Sequence, residues 1–256
     1  TVNLPTGGGT LITTTGATFT GNVLHGDNVK STVGAGNDLE IFHDGSNSRI
    51  KDLGTGVLVI SGSELHFNNA ASTENMIKAV EDGAVTLYHN HVAKLATTAT
   101  GVVVTGGIAL GGTGAANTLD DYEEGTWTPV YSGSSTAGSF SYNYQIGRYT
   151  KVGNLVTVVC SLVDISQSSA ASGSVHITGL PFSSSNITAL NSVGAVNLSR
   201  FNLDGQGQIV SIEGNTSYAQ FVLMASGSGT GNLLDAGDRT GNSADIFFTL
   251  TYRTDS

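Results

Sequence analysis

Two short sequence elements recur through the first half of this 256-residue chain and limit what it can fold into. One element reads Thr-Gly, a short run of strand-forming residues, then Thr or Ser with Gly; it begins at Thr15, Thr55 and Thr100. The other is an aromatic residue followed by two polar residues, at positions 42–44, 67–69 and 88–90. Each copy predicts one strand bounded by turn residues. Units this short cannot bury an apolar face alone, so they must stack on neighbouring units or neighbouring chains.

The composition favours strands and turns over helices. Thr and Val favour strands, Gly, Ser and Asn favour turns, and Gly alone accounts for 35 residues. Strong helix formers such as Glu, Lys, Gln and Met are scarce. Met76, Ile77 and Val80 have helical spacing within residues 74–81, but so short a helix would be marginal. We interpret that segment as extended and predict an all-β protein.

Longer strands with regular alternation mark the second half. Residues 155–163 and 246–252 each place four alternate apolar residues on one face, and residues 139–144 place three aromatic residues on one face. These sets are Val156, Val158, Cys160 and Leu162; Ile246, Phe248, Leu250 and Tyr252; and Phe140, Tyr142 and Tyr144. Turn pairs such as Gly153-Asn154 separate the strands. The pattern predicts an antiparallel, jelly-roll-like β-sandwich of about seven to nine strands.

The segment from Gly106 to Leu119 contains glycine and small residues and no charge. Such a segment is typical of a linker or a tightly wound neck. We therefore predict two domains, residues 1–118 with the short repeats and residues 119–256 with the longer strands.

Charge, hydropathy and cysteine content argue against nucleic acid binding, membrane insertion and an internal disulfide framework. The net charge of −10 would repel a phosphate backbone, and no basic run is present, so we expect no nucleic acid partner. No stretch reaches the length of a membrane span, so we expect no membrane insertion. The single cysteine, Cys160, excludes an internal disulfide framework, and its apolar neighbours predict a core residue.

The densest charge is the cluster Asp120-Asp121-Tyr122-Glu123-Glu124. A glycosidase holds two carboxylates across a sugar bond, and neighbouring loop residues do not hold that geometry. We interpret the cluster as a solvated junction between the two domains. We predict no catalytic residue and no enzyme activity.

His89 and His91 are the one pair of histidines that could bind a metal. Residues two apart on a strand point to the same side, and several copies near a common axis would offer several imidazoles to one ion. The alternative, which we favour, is two exposed polar residues in a turn, and we assign no metal ligand and no cofactor. For Trp127, the sole tryptophan, we favour core or interface packing over a sugar-binding platform.

Two blocks of the sequence resemble known proteins. Residues 37–56, NDLEIFHDGSNSRIKDLGTG, continuing in residues 79–106, resemble repeats in tail-fibre and other structural proteins of tailed bacteriophages, notably those of marine bacteria. Residues 122–129, YEEGTWTP, followed by GRYTKVGNLVTV from Gly147, resemble a C-terminal module of phage tail fibres and receptor-binding proteins. The two blocks cover roughly half of the chain. The family commonly has a second aromatic and Asp-Asn after Tyr88, where this chain has His89-Asn90-His91.

The resemblance implies a homotrimeric fibre of the phage tail. In it, residues 1–118 would form a fibrous, intertwined β shaft and neck, and residues 119–256 would form the head. Its partners would be its own copies, other virion tail proteins and a glycan or protein receptor on the host surface. The alternatives are a virion structural or capsid-decorating fibre without a receptor, and a tailspike polysaccharide depolymerase. Short repeats and the missing carboxylate pair weigh against the last of these.

Host contact is expected on head loops rich in Ser, Gly, Asn and Thr, because binding surfaces are often loops on a rigid β scaffold. These loops are residues 132–139, 166–174, 183–191, 202–208 and 226–242.

Overall fold

The computed structural model describes residues 22–187, 190–224 and 231–255. Within these residues the regular structure is β, apart from two single-turn 3-10 helices at Ala115–Asn117 and Ala236–Asp238. The all-β prediction is confirmed. In the described part of the chain, no helix has the length and apolar character needed to cross a membrane.

The chain divides between Ala84 and Val85 into two compact units. In the first unit, β1 (Ser31–Val33), β2 (Leu39–His43) and β3 (Ser48–Asp52) form an antiparallel sheet. Strands β4 (Glu64–Asn68) and β5 (Asn75–Val80) form an antiparallel ladder. Strand β5 confirms the extended interpretation of residues 74–81. The domain boundary predicted between residues 118 and 119 lies within the second unit and stays a prediction.

The two repeated elements differ in how well they predict strands. Each aromatic element begins on a strand and continues into a turn; at the first, the Asp44 carboxylate accepts hydrogen bonds from the backbone N–H groups of Ser46 and Asn47 at 3.0 and 2.7 Å. The Thr-Gly copy at Thr100 contains a strand, but the copy at residues 55–62 contains none, so that prediction is wrong. Residues 55–62 pair with no neighbouring strand in the described part of the chain. The copy at Thr15 lies outside the described residues.

The second unit begins with an antiparallel meander of β6 (Val85–His89), β7 (Val92–Thr98) and β8 (Gly101–Val104). The predicted linker then forms a small hairpin, in which β9 (Ile108–Ala109) pairs with β10 (Thr118–Leu119). The backbone hydrogen bond from Leu110 N to Asn117 O, at 2.7 Å, continues this pairing, so the segment is folded back on itself rather than extended.

The rest of the chain forms one curled antiparallel sheet. Its strands are β11 (Tyr122–Trp127), β12 (Val130–Gly133), β13 (Ser139–Ser141), β14 (Tyr144–Val152), β15 (Leu155–Ser169), β16 (Val175–Thr178), β17 (Ser192–Ser199), β18 (Gly207–Ile212), β19 (Tyr218–Met224), β20 (Gly231–Leu233) and β21 (Ala244–Arg253). Nine of them follow the order β11-β14-β15-β21-β17-β18-β19-β16-β12. Strand β17 joins the two halves, because residues 192–194 pair with β18 and residues 195–199 pair with β21.

The two ends of this path, β11 and β12, are separated in the chain by only Thr128 and Pro129. The sheet therefore curls around a single hydrophobic core that runs from Trp127 to Tyr252. The four-residue faces predicted on residues 155–163 and 246–252 are buried in it, including Cys160. The face predicted for residues 139–144 is wrong in part. The chain leaves the sheet at residues 142–143, so Phe140 and Tyr142 pack against the core while Tyr144 is exposed.

Two reciprocal pairs of an aromatic residue and a glycine join β11 to β14. Trp127 lies opposite Gly147, and Gly125 lies opposite Tyr149. A Cβ atom at Gly147 would lie 2.7 Å from the Trp127 ring and 2.5 Å from its carbonyl oxygen; one at Gly125 would lie 2.6 Å from the Tyr149 ring. Each ring covers the glycine on the neighbouring strand, and Trp127 Nε1 donates to Arg148 O at 3.2 Å. Trp127 is 7% exposed, which confirms its predicted role in packing.

Gly147→Ala should destabilise the curled sheet by about 3 kcal/mol, because the new methyl group would overlap both the carbonyl oxygen and the buried ring of Trp127. The control is Gly207→Ala in β18, where the nearest atom to a new Cβ is 3.8 Å away and the chain is exposed. Denaturant unfolding followed by tryptophan fluorescence measures both. Equal midpoints for the two variants would contradict the tight aromatic–glycine contact.

Candidate functional site

An exposed surface of the curled sheet lies on the outer side of β14, β15, β21 and β17. Two rows of side chains cross these four strands in register and point away from the core. The rows are Ile146, Ser161, Phe247 and Asn197, and beside them Arg148, Val159, Thr249 and Ala195. We call these eight residues the outer face. Its large apolar side chains Ile146, Val159 and Phe247 are 47%, 48% and 40% exposed.

Two shallow depressions meet on this face at Val159. One, of about 390 Å³, lies over β15, β21 and β17 and is lined by the side chains of Val159, Phe247, Asn197, Ser161 and Thr249, with Ala195. The other, of about 410 Å³, extends over β14 to β11 and includes Arg148 and Glu124. The first depression has no charged residue in its lining. Its surface can therefore bind through apolar contact and neutral hydrogen bonds.

The alternation of β-strands explains why this face exists. Val156, Val158, Cys160 and Leu162 point into the core, so Val159 and Ser161 must point out. Burial raises the pKa of the Cys160 thiol far above its usual range and keeps it protonated. Sequence analysis identified the buried side of β15 but gave no weight to the apolar residues on its other side. An exposed valine and phenylalanine at matched register are the signal that could have found the outer face.

The acidic cluster at residues 120–124 is exposed apart from the half-buried Asp121, and three of its carboxylates have partners. Asp121 forms an ion pair with Lys151, Glu123 accepts a hydrogen bond from the Tyr149 hydroxyl, and Glu124 accepts one from the Tyr122 hydroxyl. The hydrogen bonds to Glu123 and Glu124 raise the pKa of both tyrosines. Asp121 and Glu123 thus attach β11 and the residue before it to β14, whereas the Glu124 bond lies within β11.

Lys151 is a buried charge that sequence analysis missed. It is 5% exposed, on the core side of β14, with its ammonium group 5.5 Å from the centre of the Phe182 ring. Lys151 follows Tyr149 by two residues and Gly147 by four, so alternation along β14 places the three residues on one face of the strand. This spacing is the signal that predicts the burial of Lys151. A buried ammonium group requires a partner, and Asp121 is that partner.

His89 and His91 do not share one side of a strand. His89 ends β6, whereas Asn90 and His91 form the tight turn to β7 with φ angles of 48° and 64°. The shared strand face assumed for a metal pair is therefore absent: both histidines are exposed, His91 lies in the turn and His89 at the end of β6. That neither binds a metal stays a prediction. Within residues 22–187, 190–224 and 231–255, no three potential metal-ligating side chains cluster.

Parts of the predicted host-contact loops are β-strands. Ser132 and Gly133 belong to β12, and residues 166–169 belong to β15. Ser134 N and Ser135 N donate to Ser174 O and Ser172 O at 2.9 and 3.0 Å, so two of the loops are joined by backbone hydrogen bonds. Residues 202–208 contain a turn at Asp204-Gly205, where both φ angles are positive. The loops at 183–191 and 226–242 fall partly outside the described residues.

Comparisons with known proteins do not identify a family for the chain. No protein-family model matches the chain, and no curated protein matches it. Among solved structures, the crystal structure of the Dettilon tailspike protein (gp208) is similar, with a TM-score of 0.41 and 20% sequence identity. The match covers 51% of this chain and 24% of that chain.

Removing either member of the Asp121–Lys151 pair should have unequal effects. Asp121→Ala leaves a buried ammonium group without a partner and should lower the free energy of unfolding by about 2 kcal/mol. Lys151→Met leaves the Asp121 carboxylate, whose side chain is 37% exposed and can be hydrated, so the loss should be below about 1 kcal/mol. Urea unfolding of both variants at one protein concentration is the measurement. A larger loss for Lys151→Met would show that Lys151 is not the more buried partner.

Proposed function

We propose that this chain is a structural and receptor-binding component of a bacteriophage tail fibre, and that it works as an assembly of identical copies. The observation that carries the assembly is the absence of a hydrophobic core in residues 22–110. In that stretch the structure buries one side chain, Glu40, whose carboxylate accepts from Lys30 at 2.8 Å. Every buried apolar residue of the described chain lies at or beyond Trp127.

Many apolar side chains of residues 22–110 are exposed, and they lie on both faces of the strands. In β8, Val102 and Val104 point to one face and Val103 to the other, and they are 58%, 38% and 53% exposed. In the β2–β3 ladder, Ile41 lies opposite Ile50 and both are exposed. A sheet with two apolar faces gains about 25 cal/mol for each Å² of apolar surface that a covering layer removes from water. Such a sheet is stable when partner chains cover both faces.

Identical copies are the partners that best fit this surface. The exposed apolar residues recur along the whole stretch, so a partner must present a matching surface of the same length. A second copy has that surface by construction, and closed cyclic symmetry gives every copy the same environment. We propose a homotrimer with parallel chains, in which residues 1–118 form the shaft and neck.

The sequence resemblance of residues 37–56 and 122–129 supports a phage tail, and hence a location in the virion. We propose that residues 119–256 are the head, which has its own core and carries the polar loops. The head would bind a glycan or protein on the host surface, and the shaft end would bind other tail proteins. Several copies per fibre would multiply a weak single contact. We propose no enzymatic activity.

Val103→Asp should prevent or weaken assembly. A charge at a position that neighbouring copies cover costs about 3 kcal/mol per copy, and each copy contributes one such charge. Val103→Thr keeps the side-chain shape and is the matched control. Size-exclusion chromatography with light scattering should give three times the chain mass of 26.1 kDa for the parent and the control, and a lower mass for Val103→Asp. A parent of single-chain mass at micromolar concentration would overturn the assembly.

The purified full chain should adsorb to bacterial cells that the phage infects and should compete with the phage for adsorption. Incubation with polysaccharide extracted from the same cells should release no reducing sugar ends. Adsorption with release of sugar would instead identify a tailspike depolymerase. An assembled chain that neither adsorbs nor competes would identify a fibre without a receptor.

A further inference from the structure

We infer that in the assembled protein the outer face of the curled sheet is covered by neighbouring copies of the same sheet. This inference rests on the proposed assembly of identical copies. It adds a contact between curled sheets, which association through residues 22–110 does not by itself require. The outer face lies on the side of β14, β15, β21 and β17 opposite the core, so nothing in the core depends on its apolar side chains.

The side chains of the outer face suit the packing of one sheet against another. Ile146, Val159 and Phe247 lie on three successive strands, and the smaller Ser161, Thr249 and Ala195 lie between and beside them. Large and small side chains that alternate on the surface of a sheet interdigitate with the side chains of a neighbouring sheet. Scattered single apolar residues on a surface are ordinary, but three large ones on three successive strands, within two adjacent rows, favour an interaction site.

Charge also favours a second copy. The chain has a net charge of −10, so identical copies repel each other unless they meet through an uncharged surface. Arg148 is the one charged residue of the outer face, at the end of its row. Glu124 lines the adjoining depression on β11, one strand beyond. A positive group at one end of the contact and a negative group beside it fit a cyclic arrangement, in which the edge of one copy meets the face of the next.

The size of the face fits copies that are already held together. Four strands at about 4.8 Å spacing and two rows of outward side chains, each row covering about 6.6 Å along the strands, give roughly 250 Å² per copy. A contact between free proteins normally buries about 800 Å² per partner, so this face alone is too small for stable association. Chains that are joined through residues 22–110 meet at an effective concentration of the order of millimolar, and a small contact then suffices.

The experiment places one spin label in the full chain and measures distances between copies. Thr249→Cys puts the label at the centre of the outer face, where the threonine is exposed. Ser217→Cys, an exposed position before β19 in the other half of the sheet, is the matched control. The native Cys160 is buried with a raised pKa and does not compete for the label. We expect the label separations between copies to be shorter at Thr249 than at Ser217.

Each result has one meaning. Shorter separations at Thr249 than at Ser217, in a chain whose mass shows assembly, support the inference. Assembly with equal separations, or with Ser217 closer, overturns the inference and leaves the proposed function in place; the outer face is then free to bind a host molecule. A single-chain mass overturns both.

A label at the centre of the contact can disturb it, so a second measurement uses the unmodified chain. Hydroxyl-radical footprinting compares Phe247 and Val159 with Ile187, which is 57% exposed and lies in the segment between β16 and β17, away from the outer face. We expect oxidation of Phe247 and Val159, each relative to the unfolded chain, to be at least threefold lower than that of Ile187. Equal oxidation would overturn the inference.

Discussion

A β-sheet with apolar residues on both faces must be covered on both sides, and this chain meets that requirement in two different ways. In residues 119–255 the chain covers itself, because the sheet curls until its first and last strands are neighbours in sequence and one core fills the interior. In residues 22–110 the described structure contains no such core, although valine, isoleucine and leucine recur throughout. In the proposed fibre, the stability of that stretch comes from other chains that cover these residues.

Closure of the curled sheet depends on a small number of side chains at β11. The two aromatic–glycine pairs, Trp127 with Gly147 and Gly125 with Tyr149, allow the edge strand to approach β14 closely, and the Asp121–Lys151 pair fixes the segment that precedes it. These residues lie in the sequence block that resembles phage receptor-binding modules. The block thus has a structural explanation that is independent of any host ligand. The same closure leaves the outer face exposed on β14, β15, β21 and β17.

Much of the fold could be predicted from strand alternation and turn residues. Alternation identified the buried faces around Cys160 and Phe248, and Gly153-Asn154 marked the hairpin between β14 and β15. Prediction failed where a local pattern was overridden by pairing. Residues 55–62 have strand-forming composition but no partner strand, and Tyr144 follows a break that alternation does not show. His91 lies in a turn because two positive φ angles close the β6–β7 hairpin. Alternation along β14, β15 and β21 could have indicated the buried Lys151 and the outward apolar residues, but the Asp121 partner and the match of register between strands depend on contacts between distant segments, which no local pattern encodes.

Amide hydrogen exchange across a dilution series tests most directly whether residues 22–110 are ordered by other copies of the chain. Strands β4 to β8 have backbone hydrogen bonds but no buried apolar layer of their own, so their protection must depend on association, whereas β15 and β21 lie over a complete core. The account predicts that on dilution to single chains β4 to β8 lose protection by at least a factor of ten while β15 and β21 keep theirs. Equal protection of β4 to β8 in the assembled and the single chain would contradict it.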